Sequence, residues 1–487
     1  MLQRIIIRFL LLLGSLPLVL QGQSFDSLRL DQLQTLARQQ AIEVQLAERD
    51  RQFAQADFEL YQASLRPGLD LTANLPNYSR SAQETTQPDG TISFQSVRIN
   101  NSFAGLEFSQ RLGATGGFLF ATTNLQRFDN FETDFKQYRG LPLRVGIFQP
   151  IFAFNPWRWD KEILPLRQQE AELQYHSQAE AAAVQATNLF FNLLVAEENR
   201  RLAAFNKAAN QQLLDIALER FELGKISRND LVQIELELVS AQQNEQEAEL
   251  AVLNASANIY QLLGLPFNNQ PIRPQDPRII ELPAFSYDQL QALAQRLRPE
   301  LIQARRLEME AERDLAQARR DNGPRLDLLA SFGLVRSDEM LAEVYRDPQQ
   351  EHIVQLQLSV PILDGGTRRT ATRRARAQLD YARELGAYNQ QQLLTDLQMS
   401  LNSLEQAARS LELAENIRQL AEERFRISQE SYLLGAIPLT DLSLAQRGRD
   451  QSNRAYVSGL RNYWLTYSQL RWLTGFDFQQ QKPLSEL

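Results

Sequence analysis

The stretch FELGKISRND, residues 221–230, has a close counterpart in YLLGAIPLTD, residues 432–441. Both have glycine at the fourth position and aspartate at the tenth, and both interrupt long tracts rich in helix-forming residues. Glycine can close a helix in a left-handed conformation, and aspartate favours the start of the next helix. The sequence therefore predicts two helical hairpins, each turning at one of these stretches.

The two hairpins belong to a longer internal repeat. DQLQTLA at 31–37 returns as DQLQALA at 288–294, an offset of 257, whereas the two tips and the pair Pro150 and Pro361 are 211 residues apart. The first repeat therefore has 46 more residues (257 − 211) between Pro67 and Pro150 than the second has between Pro324 and Pro361. Because a repeat of this size determines the whole fold, it is the primary organisational signal.

Each repeat reads as a helix, a β segment, a very long helix, a tight tip and a returning helix. The helical tracts 157–222 and 364–434 would each span roughly 100 Å at about 1.5 Å per residue. The predicted organisation is as follows: signal peptide 1–24; first repeat 25–264 with β segment 67–152 and tip 223–230; Pro-rich linker 265–285; second repeat 286–475 with β segment 324–361 and tip 434–441; C-terminal tail 476–487.

Apolar residues alternate with polar ones in four short segments, which predicts four strands with one apolar face. These segments begin at Leu69, Leu141, Leu326 and His352. The additional residues of the first repeat, within 98–128, contain a turn-like GATGG and predict one more hairpin, inside or outside the same sheet.

Apolar residues step by three and four along the returning helices, as in a coiled-coil seam. In the first repeat the seam starts at Leu231 and runs to Leu262. In the second repeat Arg449 and Ser452 occupy seam positions, which predicts a looser seam or one that faces water.

Composition restricts the class of protein. The N-terminal MLQRIIIRFLLLLGSLPLVLQGQS has the layout of a secretory signal peptide, with cleavage expected near Phe25. There is no cysteine, so disulfides, thiolate metal sites and a lipidated N-terminal cysteine are excluded. After removal of the two signal arginines the formal charge is 49 − 59 = −10, which disfavours nucleic-acid partners. Because no later apolar stretch approaches the ~20 residues of a spanning helix, any membrane crossing is expected from strands.

Catalysis has little support in the sequence. The two histidines, His176 and His352, lie in a helical tract and at a strand start, without a metal-ligand spacing around them. No nucleophile elbow or phosphate-binding glycine loop occurs. We therefore expect no enzyme activity, no catalytic residues, no metal and no cofactor.

The order of these features resembles the TolC-like outer-membrane efflux channels. The resemblance rests on the signal peptide, the tandem repeat, the strand endings FQPIF and SVPILDGG, and the tips RFELGKISRNDLVQIE and SYLLGAIPLTDLSLAQ. It implies an α+β membrane protein in the cell outer membrane, with a long periplasmic portion. Three chains would form a transmembrane β-barrel continuous with a periplasmic α-barrel of helical hairpins. The implied partners are outer-membrane lipid, a periplasmic membrane-fusion adaptor and an inner-membrane transporter of RND, ABC or MFS type, so that the channel is a passive duct for efflux or type I secretion.

The resemblance also implies functional positions at the tips. The adaptor-docking positions would be Gly224, Asp230, Leu231, Gly435, Asp441 and Leu442. Asp230 and Asp441 would form a periplasmic gate. Family members often have a second acidic residue three positions later, and here those positions are Gln233 and Leu444.

Residues that follow the two strand endings are candidates for a membrane interface. Trp157 and Trp159 follow the first, and Arg368 and Arg369 open a run of five arginines after the second. Aromatic and arginine side chains both suit this position. The alternative is a solvated helical turn with two packing tryptophans. At the level of the whole protein, two alternatives remain open: a secreted coiled-coil scaffold without channel activity, and an export-associated hydrolase.

Overall fold

A computed structural model describes residues 27–86, 88, 90–278 and 286–484. The predicted signal peptide and its cleavage site lie outside these residues, as does part of the predicted linker. The described chain divides into two compact units. The helical unit contains residues 27–50, 172–278, 286–299 and 391–484, and the sheet unit contains residues 51–171 and 300–390, apart from 87 and 89.

Eight α-helices are formed by the described residues. Four of them belong to the first half of the chain: α1 Leu30–Gln40, α2 Ile42–Ser64, α3 Pro156–Glu222 and α4 Arg228–Leu262. The other four belong to the second half: α5 Tyr287–Leu297, α6 Pro299–Asp321, α7 Thr367–Leu433 and α8 Leu439–Thr474. Equivalent helices have 11, 23, 67 and 35 or 36 residues. The two halves therefore use almost the same set of helix lengths.

The sequence predicts one helix at the start of each repeat, and the structure has two consecutive helices at each of these places. The tract 26–66 is interrupted at Ala41 and the tract 286–322 at Arg298, where both residues have extended ψ angles of 139° and 124°. At Arg298 the reason is Pro299, because a proline disfavours helical geometry in the residue before it and is well tolerated at the first helical position. At Ala41 no proline is present, so the sequence carries no comparable local signal.

The strands lie mainly in one sheet. The described strands are β1 Ser27–Leu28, β2 Gly68–Asn74, β3 Tyr78–Thr86, β4 Ile92–Leu112, β5 Gly117–Asn130, β6 Phe135–Pro150, β7 Arg273–Pro274, β8 Arg325–Asp338, β9 Gln349–Ser359, β10 Phe476–Asp477 and β11 Lys482–Pro483. The sheet has the order β2-β4-β5-β6-β8-β9, and β3 also pairs with β4. A single 3₁₀ turn, Glu343–Tyr345, lies between β8 and β9. The additional hairpin is therefore β4–β5, inserted into the sheet between β2 and β6.

Strand register aligns apolar side chains across the whole sheet. Leu71 pairs with Leu106, and Val145 pairs with Phe332. The same face continues through the pairs Phe108 with Ala121, Ala121 with Val145, Ala330 with Val354 and Leu328 with Leu356. Many of these side chains are exposed, up to 76% for Val354. The sheet thus has a continuous apolar face that this chain leaves uncovered.

The predicted alternation of β6 is broken at Pro142. Thr122 pairs with Arg144 and Asn124 pairs with Leu141, so two residues of β6 lie opposite one residue of β5. Proline has no N–H for the ladder, which explains an irregularity at this position. As a result Leu141 is buried whereas Leu143 is 48% exposed. The prediction that these two leucines share one face is wrong.

The helical unit has a continuous core that includes the start of the linker. Leu33 and Leu290, which are equivalent in the sequence repeat, are both fully buried. Ile272 of the linker is also fully buried, and its N–H donates to the hydroxyl of Ser256 on α4. The adjacent β7 pairs with β1. This part of the linker is therefore packed against the helices that it connects.

Candidate docking tips and gate

The two tips end their first helix in the same way. Gly224 has a φ of 67° and Gly435 a φ of 77°. In the first tip the N–H of Lys225 donates to the carbonyl of Arg220 at 2.8 Å, and in the second the N–H of Ala436 donates to that of Ser431 at 2.9 Å. Together with the glycine N–H bonds to Phe221 and Tyr432, these are Schellman motifs. The glycines therefore form the predicted turns.

Both glycines are open to solvent. A Cβ atom placed on either would meet no atom within 4 Å, so only the backbone conformation requires glycine. The residue before each glycine is an exposed leucine: Leu223 is 69% exposed and Leu434 is 86% exposed. These two equivalent leucines were not among the predicted site residues, although the offset of 211 relates them as it relates the glycines.

Asp230 lies one turn inside α4, because this helix begins at Arg228 and not at Asp230. Ser227 is the N-cap: its hydroxyl accepts a hydrogen bond from the N–H of Asp230. In return the carboxylate of Asp230 accepts bonds from the N–H and the hydroxyl of Ser227, at 3.2 and 2.8 Å. This reciprocal arrangement is a capping box. Asp230 thus has a structural role within its own hairpin.

Asp441 has a different environment although it is the equivalent residue. Helix α8 begins at Leu439 after Pro438, which cannot provide a side-chain cap. The backbone N–H of Asp441 donates to the carbonyl of Pro438. Its side chain is exposed and forms no hydrogen bond or ion pair with the residues that the structure describes. Its carboxylate is therefore available to solvent or to another molecule.

Leu231 and Leu442 support the tips from the inside. Leu231 is 1% exposed and packs with Ala217 and Ile234, and Leu442 is 2% exposed and packs with Phe425 and Ala445. Leu213 of α3 borders both clusters. These leucines fix the two hairpins side by side and do not form the exposed surface.

An arginine joins the two hairpins near the tips. Arg220, at the end of α3, donates to the carbonyl of Leu433 on α7 at 3.1 Å, and its guanidinium lies 5.7 Å from the ring centre of Tyr432. Burial raises the pKa of the Tyr432 hydroxyl; Arg220 opposes this shift, and the negative charges of Asp230 and Glu237 add to it. The Tyr432 hydroxyl therefore stays neutral at physiological pH, and the ring can form a cation–π contact with Arg220.

Arg449 and Ser452, which were expected to make the second seam looser or to face it toward water, are both buried. The guanidinium of Arg449 lies 4.4 Å from the ring centre of Phe205 and 4.1 Å from that of Phe425. It donates to Asp450 and Asn206, and Asn206 donates in turn to Asp450 at 2.6 Å. The charge is accommodated by stacking and pairing rather than by water. No local sequence pattern indicates this arrangement, because Phe205 lies on α3 and Phe425 on α7.

The candidate membrane-interface residues fall into two groups. Trp157 packs locally, because Arg111 lies over its ring at 5.0 Å and the hydroxyl of Tyr61 donates to its carbonyl. Trp159 is partly exposed. Arg368 and Arg369 are exposed in the first turn of α7, and the N–H of Arg368 donates to the carboxylate of Asp364.

The described residues offer no metal site of three or more histidine or acidic side chains. Within the same residues, no helix is long and apolar enough to cross a membrane.

Comparison with known proteins gives three findings. The family model described as "Outer membrane efflux protein" matches residues 33–265 and 290–475. The chain is 27% identical over 248 residues to the alkaline protease secretion protein AprF of Pseudomonas aeruginosa. That alignment covers 50% of this chain and 51% of AprF, so the chain spans about half the length of this curated relative.

Solved structures share the fold over nearly the full length. The Campylobacter jejuni CmeC outer membrane channel has a TM-score of 0.68 at 17% identity, with 97% of this chain and 93% of that chain covered. The open state of the Neisseria gonorrhoeae MtrE outer membrane channel has a TM-score of 0.64 at 16% identity, covering 93% and 90%.

Proposed function

This chain belongs to the outer membrane efflux protein family, and we propose that it is the outer-membrane channel of a tripartite efflux or type I secretion system. Its location is the outer membrane, with a periplasmic portion, and its family functions in transport and not in catalysis. In the proposed system the protein is a passive duct. It receives cargo through a periplasmic adaptor from an inner-membrane pump.

The observation that carries this proposal is the uncovered apolar face of the sheet. Six strands place apolar side chains in register on that face. The other face has polar groups, including an ion pair between Arg144 and Glu351. An apolar outside and a polar inside are what a transmembrane sheet requires. A coiled-coil scaffold in water is not expected to expose a continuous apolar face, because soluble proteins rarely do so.

The sheet also has two free edges, which supports association of several chains. Among the described strands, β2, β3 and β9 each pair with one strand only; β2 and β3 both lie along the side of β4 opposite β5, and β9 forms the other edge. A sheet within a membrane must satisfy its edge N–H and C=O groups. We therefore propose that β9 of one chain pairs with β2 of the next, that three chains close a barrel, and that the two similar halves of each chain contribute helical hairpins to a periplasmic α-barrel.

The hairpin tips are the proposed docking surface for the adaptor. Leu223 and Leu434 expose large apolar side chains beside Gly224 and Gly435, which leave the backbone uncovered. Exposed apolar groups at the turn of a helical hairpin suit a helical partner. Asp230 and Asp441, in the first turns of the returning helices, are the proposed gate residues.

Two measurements test the proposal. The mature protein should fractionate with the outer membrane and require detergent for extraction, and the purified protein should form channels in planar bilayers. Recovery in the soluble periplasmic fraction after gentle lysis, as a protein without channel activity, would favour the scaffold. Hydrolysis of generic ester or peptide substrates by the purified protein would instead favour the hydrolase.

A further inference from the structure

The start of α7 has a dense cluster of positive charge. Arg368, Arg369, Arg373, Arg374 and Arg376 lie within nine residues and are all exposed. None of the five forms an ion pair with the residues that the structure describes. Two turns further along the same helix, Arg383 pairs with Glu308 at 2.8 Å and with Glu312 at 2.9 Å. Within the described residues, ion pairs are thus missing from this short segment and not from the whole helix, although the carboxylate of Asp364 interacts electrostatically with Arg368.

Four of these arginines line one recess. Arg368, Arg369, Arg373 and Arg376, with Thr372, line a shallow, widely open depression of about 590 Å³, which Asp364 and Gly366 border. Arg374 projects from a different side of the helix and does not contribute. The carboxylate of Asp364 accepts bonds from the N–H groups of Gly366 and Arg368. Since that carboxylate already caps the helix, the recess depends on guanidinium groups for its attraction to anions.

An apolar feature adjoins this charge. Ile362 is 96% exposed and Leu363 is 92% exposed, the highest values among the exposed large hydrophobic residues described. They come three and four residues after the end of β9, with Val360 and Pro361 in between. Their counterparts after β6, Ile151 and Phe152, are 46% and 44% exposed. Two fully exposed aliphatic residues next to unpaired arginines have the character of an interfacial anchor: apolar side chains for acyl chains and cations for headgroups.

We propose that the segment Ile362–Arg376 binds the phosphate headgroups of anionic phospholipids, and that Ile362 and Leu363 enter the acyl region beside them. The proposal rests on the outer-membrane location of the sheet and adds a ligand to it. Arginine forms bidentate hydrogen bonds with phosphate oxygens, so the recess favours phosphate esters over other anions. Helix α7 would in this way be attached to the membrane boundary at its first two turns.

Native mass spectrometry of the full-length protein in detergent provides the test. Bound phosphatidylglycerol is counted against bound phosphatidylcholine for the wild type and for the triple variant R369Q/R373Q/R376Q. We expect the wild type to prefer phosphatidylglycerol and the variant to lose that preference, at roughly fivefold per arginine and about a hundredfold in total. The matched control is R374Q/R409Q/R424Q, which removes the same charge from positions outside the recess and should keep the preference.

Two further arms identify the source of the phosphate and the role of the apolar pair. Inorganic phosphate at millimolar concentration should displace little phosphatidylglycerol, and I362S/L363S should reduce the binding of both lipids alike. Full displacement by inorganic phosphate, or an unchanged preference in the triple variant, would overturn the lipid site. Bilayer conductance of the same samples separates this outcome from failure of the channel, since a protein without the lipid site still conducts whereas a scaffold does not.

Discussion

At the scale of single residues, the buried pair of Arg449 and Asp450 is expected to contribute strongly to stability. Arg449 is 3% exposed and stacks between two phenylalanines, while Asp450 is 7% exposed. Taking two charges out of water is costly, and the cost is offset only while both remain paired. The pair is thus a sensitive point of the helical unit.

Asp450→Asn should therefore destabilise the protein by about 3–5 kcal/mol, because it leaves the guanidinium of Arg449 buried without a counter-charge. The measurement is thermal unfolding in detergent. Glu423→Gln is the control, since it breaks an ion pair with Arg426 in which both side chains are more than half exposed. If both variants unfold at the temperature of the wild type, the pair is not energetically important.

Tyr467 should make the stability of the protein depend on pH in the alkaline range. Burial raises the pKa of its hydroxyl to about 12, with Arg471 opposing and Asp477 adding to the shift. The folded state then holds the proton where the unfolded state, with an ordinary pKa near 10, has released it. The free energy of unfolding should consequently decrease between about pH 10 and 12. Tyr467→Phe should reduce this dependence, measured as unfolding temperature against pH; equal slopes in both proteins would contradict the assignment.

At the scale of elements, a tip glycine and a glycine within a helix show the effect of backbone conformation separately from that of side-chain packing. Gly435 has a positive φ and Gly448 lies inside α8, yet a Cβ at either would meet nothing within 4 Å. Gly435→Ala should cost roughly 1 kcal/mol, and Gly448→Ala should gain about 0.5–1 kcal/mol. Calorimetry of the two variants should give unfolding temperatures displaced in opposite directions. A gain at Gly435 would mean that the tip does not adopt the left-handed conformation.

The sequence predicted the elements well where their signals are local. The long helices, the tips at Gly224 and Gly435 and the period-two strands follow from residue type and spacing alone. The break at Ala41 has no local signal. Pro142 marks an irregularity in β6, but the face that each neighbouring leucine takes depends on the register with β5 and β8. At the candidate site the two turns could be predicted in the same way, because a helix end at a glycine depends on neighbouring residues in the sequence. The contact of Arg220 with Tyr432 joins residues that are 212 positions apart and had no signal in either tip.

At the scale of the whole molecule, we expect the two carboxylates of the proposed gate to act alike on selectivity but differently on stability. Asp230 is engaged with Ser227, whereas Asp441 has no partner in the described chain. Like charges brought together at a narrow entrance favour cations, more strongly at low salt. Asp441→Asn should therefore lower cation selectivity without changing stability, whereas Asp230→Asn should do so and also weaken the capping box. The reversal potential across a salt gradient in planar bilayers measures this, and an unchanged potential in the double variant would leave both residues as turn formers.

The equal lengths of α3 and α7 restrict which insertions and deletions the long helices can accept during evolution. Both helices have 67 residues, and Arg220 at the end of one contacts Leu433 at the end of the other. Inserting seven residues into α3 and α4 alone would move one tip about 10 Å beyond the other and separate these residues. The same insertion in all four long helices would keep the tips level. Insertions and deletions in one hairpin should therefore persist in a lineage only when a matching change occurs in the other.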